Sequence, residues 1–289
     1  MSIAKRLISR TILAKVYAND KTAKRLYGHL PSEPTGPEKT SVWHQMPRNK
    51  IPDYVRGKVH YELGHSHDEH RIMDFVQNEI IPNSPLVQAL GANPRDVLDL
   101  YAPIVKRSLH DHCSLLSFAG EELVGISLHT LHDVKSQLSG SYRSTEVLPS
   151  KDYSAEIDKA PFKNRAAKKL HVFFSILRDK FEDLLPDAHK VMILECGGVA
   201  RRYSGRGVSQ EMVKNAMKLA KDQFHCDYCI AYMADSKAAQ KLLQQKLSFQ
   251  LVREFKLDHY MDHEIPAFPD HDDVANSIVQ SGKLLVKRL

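Results

Sequence analysis

Apolar residues recur along residues 54–289 at the spacings of both helices and strands. In residues 68–81 they fall on one helical face, and two apolar runs flank residues 119–122 as in a β-hairpin. The predicted helices are residues 68–81, 94–110, 162–185, 207–221 and 236–246; the predicted strands are residues 59–63, 113–118, 123–128, 190–199, 228–233, 249–257 and 283–287. Residues 133–160 are polar and are predicted to form a loop. This mixture predicts one α/β (α+β) domain.

The first 53 residues have a different character. Residues 1–19 hold four Lys or Arg residues, no acidic residue, and apolar residues near helical spacing, which is typical of a mitochondrial presequence. A disordered basic tail is the alternative interpretation. Seven Gly or Pro residues in residues 28–52 then indicate a linker. We therefore expect an N-terminal segment at 1–53, a folded domain at 54–289, and a mitochondrial matrix location, or otherwise a cytoplasmic one.

The net charge of +6 is unevenly distributed. Residues 1–50 hold ten of the 41 basic residues and only three of the 35 acidic ones, so the rest of the chain is nearly neutral. A nucleic-acid-binding domain needs its own basic surface, and we expect no such partner for the folded domain. No apolar stretch of about 18 residues occurs, so we expect no membrane span either.

The four cysteines indicate a reducing compartment rather than a disulfide framework. Cys226 and Cys229 form a CxxC pair, but a zinc site needs a second pair of ligands, and the segment around them is predicted to be a strand. We therefore interpret them as strand residues and predict no metal site.

The segment with the clearest chemical signal is residues 192–222, MILECGGVARRYSGRGVSQEMVKNAMKLAKD. It predicts a strand, a turn containing Gly205 and Gly207, and an amphipathic helix. Unpaired N–H groups at a helix start, the helix dipole and close-approach glycines make an anion site, and Arg201, Arg202 and Arg206 add positive charge. The turn could hold a diphosphate, although a helix-capping turn without a ligand would have the same pattern.

The stretch VARRYSGRGVS resembles the pyrophosphate-binding motif of the GNAT superfamily of N-acetyltransferases. Three further segments are similar to that family: the hairpin GEELVGISL, residues 235–249 (DSKAAQKLLQQKLSF), and residues 78–91 (NEIIPNSPLVQALG). The order of elements is most like that of the arylalkylamine N-acetyltransferases. The resemblance implies a GNAT-type mixed, mostly antiparallel sheet flanked by helices, with acetyl-CoA as co-substrate.

Two registers fit the motif. Aligned on Val199, the family's leading Arg or Gln falls on Ser204 and its last Gly or Ala on Ser209; a shifted register, 202–207, satisfies the letters but leaves less room for the strand end. We favour the Val199 register. The resemblance then implies that backbone groups in and before the turn bind the coenzyme, at Gly197, Val199, Ser204, Gly205, Arg206, Gly207, Val208 and Ser209.

Catalysis needs a base to deprotonate the amine and a donor to protonate the thiolate. Related enzymes place a basic group on the strand before the turn, which makes Glu195 the candidate base; the alternative is a carboxylate paired with an arginine such as Arg201. Tyr232 and Ser236 are the candidate proton donors. Backbone N–H groups near 197–199 would polarise the thioester carbonyl. Where insect arylalkylamine enzymes have a glutamate, this chain has Ser84.

The sequence therefore predicts an acetyl-CoA-dependent N-acetyltransferase, an acyltransferase acting on a small primary amine such as an arylalkylamine or polyamine. Serines at positions 84, 204, 209 and 248 leave open a catalytically weak GNAT-fold binding protein. A mitochondrial assembly or ribosome-associated protein with a basic arm is the third hypothesis.

Overall fold

A computed structural model describes residues 59–134, 145–185, 187–234, 236–268 and 280–289. The predicted N-terminal segment, residues 1–53, lies outside this part of the chain, and so does the domain boundary at residue 54. In the described residues, no helix is both long and apolar enough to cross a membrane.

The first half of the domain follows the predicted order closely. Its elements are β1 (Val59–Leu63), α1 (Glu69–Phe75, extended by a π-helical turn, Val76–Ile80), α2 (Pro85–Ala89), α3 (Pro94–His110), β2 (Leu115–Ala119) and β3 (Glu122–Asp133). Helix α3 starts where predicted because Pro94 occupies its first turn and the Asn93 side chain accepts a hydrogen bond from the N–H of Arg95.

The second half contains the remaining elements, namely β4 (Glu146–Val147), β5 (Lys151–Asp152), α4 (Ser154–Lys159), α5 (Arg165–Arg178), β6 (Lys190–Val199), α6 (Val208–Asp222), β7 (Tyr228–Ala234), α7 (Lys237–Gln240, extended by a π-helical turn, Lys241–Lys246), β8 (Gln250–Lys256), β9 (Tyr260–Asp262), β10 (Ile265–Pro266) and β11 (Ser281–Arg288). The strands at 190–199, 228–233, 249–257 and 283–287 and the helix at 207–221 were predicted to within two residues at each end.

Two predicted segments differ from the structure. The predicted loop at 133–160 contains β4, β5 and α4, and Ile157 of α4 is fully buried. The predicted helix at 162–185 is shorter, because Lys180 adopts the left-handed conformation (φ 47°), which ends α5 before a separate 3-10 turn at Phe181–Leu184.

The main sheet has eight strands in the order β1-β2-β3-β6-β7-β11-β8-β4. Its pairs are antiparallel except β6–β7 and β4–β8, so the predicted mixed, mostly antiparallel sheet is confirmed. Strand β3 extends to Asp133 because it pairs with β6 along nearly its whole length. A second sheet, β10-β9-β5, was not predicted.

Helices cover both faces of the main sheet. Apolar residues of α6, including Ala216 and Leu219, pack with Met192 of β6 and Leu285 of β11. Residues of α3 and α5, such as Leu100 and Phe173, share a different core. Because neighbouring strand residues point to opposite faces, β6 is buried on both sides.

Candidate active site

The two parallel strands at the centre of the sheet separate part of the way along. Strands β6 and β7 pair from Val191 with Tyr228 to Leu194 with Ala231. Both strands continue beyond that point, to Val199 and Ala234, without pairing to each other. We call the resulting gap, between residues 195–199 and 232–234, the split.

A β-bulge lies where the split begins. On the other side of β6, Leu128 pairs with Cys196 and His129 pairs with Leu194, so Glu195 has no partner residue in β3. An extra residue of this kind bends its strand and increases the local twist. The bulge at Glu195 therefore accounts for the divergence of β6 from β7.

Backbone donors on the end of β6 face the split. The N–H of Ala200 donates to the Val124 carbonyl at 2.8 Å, which fixes the register of this end on β3. Since successive residues of an antiparallel strand turn their N–H groups to opposite sides, those of Gly197 and Val199 point away from β3. Gly197 is also solvent-exposed. Two of the predicted coenzyme-binding residues thus present amides to the split.

The turn after β6 has the backbone geometry of an anion site. Gly205 and Gly207 have φ of 78° and 83°, and a Cβ at either position would have no atom within 4 Å. Helix α6 begins at Val208, and no side chain caps it. In the described residues, no acceptor is recorded for the N–H groups of residues 207–210. Four adjacent donors without an acceptor among the described residues therefore lie at the start of a 15-residue helix.

Val199 and Gly207 lie at the two ends of the turn, an arrangement that both registers of the motif allow, so the favoured register stays a prediction. Val199 is the last residue of β6, and Gly207 immediately precedes α6. Ser204 is exposed and Ser209 is half-buried on the first turn of the helix. The serine substitutions in the motif leave these backbone donors in place.

The arginines around the turn are not equivalent. Arg206 is exposed, donates to the Arg202 carbonyl at 2.8 Å, and lies over the Tyr203 ring. The side chain of Arg202 is only 11% exposed and is paired with Glu122. Of these two cations, only Arg206 is available to an anion at the turn.

The candidate base Glu195 is the centre of a buried polar cluster, which we call the Glu195 cluster. Oε1 accepts hydrogen bonds from Arg107 Nη2 (2.9 Å) and Thr130 Oγ1 (2.8 Å), Oε2 accepts from Arg178 Nη1 (3.2 Å), and the Tyr232 hydroxyl donates to Oε2. A carboxylate has about four lone-pair positions, so this one is saturated. The carboxylate is indeed paired with arginines, but these are Arg107 and Arg178 rather than Arg201.

The two candidate proton donors lie in different surroundings. Tyr232 is buried in β7, where burial raises the pKa of its hydroxyl well above the usual value and the Glu195 carboxylate raises it further. Ser236 follows the end of β7, and its Oγ caps α7 by accepting from the Ala239 N–H at 3.2 Å. The Ser236 hydroxyl retains its own proton to donate.

Three residues of the Glu195 cluster were not predicted. Arg107 lies on α3, Thr130 on β3 and Arg178 at the end of α5, and each is between 17 and 88 residues from Glu195 in sequence. Nothing in the local pattern marks them, because an arginine near a helix end is ordinary. The CxxC cysteines are buried in the α6 core, where burial raises the pKa of Cys226 to about 11.

Solved structures with the same fold include N-acetyltransferases and a condensation domain, all at low sequence identity. Arylalkylamine N-acetyltransferase 2 from Aedes aegypti is 14% identical with a TM-score of 0.57, covering 80% of this chain and 99% of that one. A polyamine N-acetyltransferase from Drosophila melanogaster is 12% identical with a TM-score of 0.55, covering 80% and 100%. The C-terminal condensation domain of Ebony, solved with β-alanyl-dopamine, is 14% identical with a TM-score of 0.58, covering 80% and 99%.

The chain therefore has the GNAT N-acetyltransferase fold. No protein-family model and no curated protein sequence matches it.

Proposed function

We propose that the protein is an acetyl-CoA-dependent N-acetyltransferase that acetylates a primary amine. The observation that carries the proposal is the combination of the split with the free amides at the start of α6. The first is a place for a thioester between two strands, and the second is a place for a diphosphate.

The residues present fit acetyl-CoA as co-substrate. The N–H groups of residues 207–210 would hold its diphosphate, and the glycines at 205 and 207 leave room for it. The amides of Gly197 and Val199 would polarise the thioester carbonyl as charge develops on its oxygen. Acetyl-CoA supplies the activated acetyl group.

Glu195 stays our candidate base. Because its carboxylate is saturated, it can take a proton from the amine, directly or through water, only when one of its four donors moves. Ser236 and Tyr232 stay the candidate donors to the departing thiolate. We favour Ser236, since the Tyr232 proton is directed at Glu195.

The acceptor class proposed from the resemblance is a small primary amine, an arylalkylamine or polyamine. The names of the solved neighbours support this class only by analogy, since the same fold hosts different acceptors. A CoA-binding protein without turnover is the second candidate, and the saturated Glu195 carboxylate favours it.

A mitochondrial matrix location is proposed from residues 1–19 alone. The test is the N-terminus of the mature protein from cells: cleavage near residue 53 supports a presequence. An intact N-terminus bound to a partner supports the basic-arm hypothesis.

Thermal unfolding with acetyl-CoA tests the coenzyme site. A ligand that binds only the native state raises the unfolding midpoint. We expect that rise in wild type, a smaller rise in Gly207→Asn, whose side chain takes up part of the space for the diphosphate, and its loss in Gly207→Asp. Asparagine and aspartate both tolerate positive φ and differ only in the charged carboxylate, so any backbone strain is the same in the two variants. Equal midpoints with and without acetyl-CoA in wild type would remove the transferase proposal.

Acetyl transfer to a panel of amines separates the two candidates. Coenzyme release with an amine supports the transferase, and binding of acetyl-CoA without any transfer supports the second candidate.

A further inference from the structure

The Glu195 cluster contains more positive than negative charge. Arg107 and Arg178 both bind the Glu195 carboxylate, whose side chain is 1% exposed, while their own side chains are 53% and 28% exposed. Across the described ranges, neither arginine contacts another acidic side chain. Among the described residues, one positive charge of the cluster is thus uncompensated by an acidic group, and it is accessible to solvent.

Both guanidinium groups have donors to spare. A guanidinium carries five N–H donors. Only Nη2 of Arg107 and Nη1 of Arg178 bind Glu195, and the Arg178 guanidinium also lies 5.0 Å from the centre of the Tyr232 ring. Glu195 therefore binds one nitrogen of each of the two planar guanidinium groups. The free N–H groups can bind a second carboxylate in the two-point geometry that arginine favours.

The cluster lies at the base of the split. Glu195 is the bulged residue, and Tyr232 directly follows Ala231, the last β7 residue paired to β6. Arg107 comes from α3 and Arg178 from the end of α5, the helices opposite α6. If the coenzyme binds at the start of α6, an acceptor approaches the thioester from the arginine side.

We propose that the acceptor is an amino acid or a similar amine with a carboxylate near its amino group, and that Arg107 and Arg178 bind this carboxylate. The inference rests on the proposed acetyltransferase function and narrows its acceptor. A polyamine would bring additional positive charge to the guanidinium groups, where Coulomb repulsion opposes binding. Glu195 then also serves as a positioning residue for the two arginines.

The test compares acceptors that differ only in the carboxylate. Wild-type protein is assayed with acetyl-CoA and common amino acids, each paired with its own carboxamide, and with phenethylamine and spermidine. The variants are Arg107→Gln and Arg178→Gln. Lys106→Gln is the matched control. Lys106 is the exposed neighbour of Arg107 on α3, and its substitution removes the same charge without altering a contact of Glu195.

We expect the wild-type protein to acetylate an amino acid, and the KM for that amino acid to be lower than the KM for its carboxamide. Each arginine variant should raise the KM for the amino acid about tenfold or more relative to its effect on the KM for the amide, since one charge-assisted contact is lost. Lys106→Gln should change neither. An amino acid and its amide differ in the basicity of the amine, which affects wild type and variant alike. Comparing the ratio of the two KM values between variant and wild type therefore removes this difference.

Transfer to phenethylamine or spermidine but to no amino acid overturns the acceptor proposal and leaves the transferase intact. Equal losses with amino acid and amide overturn it as well, because they indicate a structural role for the arginines. Acetyl-CoA binding without transfer to any acceptor overturns it and supports the CoA-binding candidate. Absence of acetyl-CoA binding is the separate result that removes the proposed function.

Discussion

The hydroxyl of Tyr232 on β7 donates a hydrogen bond to the carboxylate of Glu195 on β6, at the point where the two strands stop pairing. This side-chain hydrogen bond connects β6 and β7 at the base of the split, beyond their last paired residues. It also supplies one of the four donors that keep the buried carboxylate satisfied.

The first prediction concerns this bond. Tyr232→Phe removes the donor and leaves part of a buried carboxylate unsatisfied, so we expect the free energy of unfolding to fall by about 1–3 kcal/mol in chemical denaturation. The control is Tyr228→Phe on the same strand, whose hydroxyl donates to the half-exposed Asp187. A loss in the control as large as in Tyr232→Phe would contradict a special role for the buried bond.

Removing the charge of Glu195 should be more costly. Glu195→Gln leaves Arg107 and Arg178 without their carboxylate, and we expect about 3 kcal/mol of destabilisation. Glu182→Gln removes a partly exposed carboxylate that pairs with His132. That variant should cost less than about 1 kcal/mol. Denaturant unfolding measures both, and similar values for the two variants would show that the Glu195 cluster does not stabilise the fold.

Gly282 on β11 has no room for a side chain. A Cβ there would lie 2.6 Å from Phe173 Cζ and 2.7 Å from Leu177 Cδ1. We expect Gly282→Ala to destabilise the protein by about 2 kcal/mol through overpacking. In a double-mutant cycle, Phe173→Leu should recover part of that loss, because it shortens the obstructing ring. Strict additivity of the two changes would argue against the contact.

The buried His129 predicts an acid-sensitive stability. Burial lowers the pKa of its imidazole to about 4, from an ordinary value near 6.5. Between these values the unfolded chain binds a proton that the folded chain does not, so stability rises with pH through that window and is lost as pH falls. This group alone should make the protein about 3 kcal/mol less stable at pH 4 than at pH 7.

The measurement is the free energy of unfolding between pH 4 and 7 for wild type and His129→Gln. Between pH 4 and 7, the free energy of unfolding of His129→Gln should change by about 3 kcal/mol less than that of wild type. Parallel curves for wild type and His129→Gln would exclude a buried neutral imidazole.

Much of the element order could be predicted from the sequence, because the strongly periodic segments have one apolar face to bury. The segment from β6 to α6 is the clearest case: an apolar strand, two glycines and an amphipathic helix predict the turn with its amides. The segment 145–160 could not be predicted, since β4 and β5 are two-residue strands whose pairing partners, β8 and β9, lie about 110 residues further along the chain.

The sequence by itself determined the local chemistry of the turn between β6 and α6, because glycines that can adopt positive φ and the start of a helix are local features of the chain. Only the tertiary structure decided the surroundings of Glu195. Arg107, Thr130, Arg178 and Tyr232 reach it from four different elements, and the bulge that aims it at them appears only when β3 and β6 pair. The hydrogen-bond partners of a buried carboxylate come from such distant parts of the chain, so no local sequence pattern predicts them.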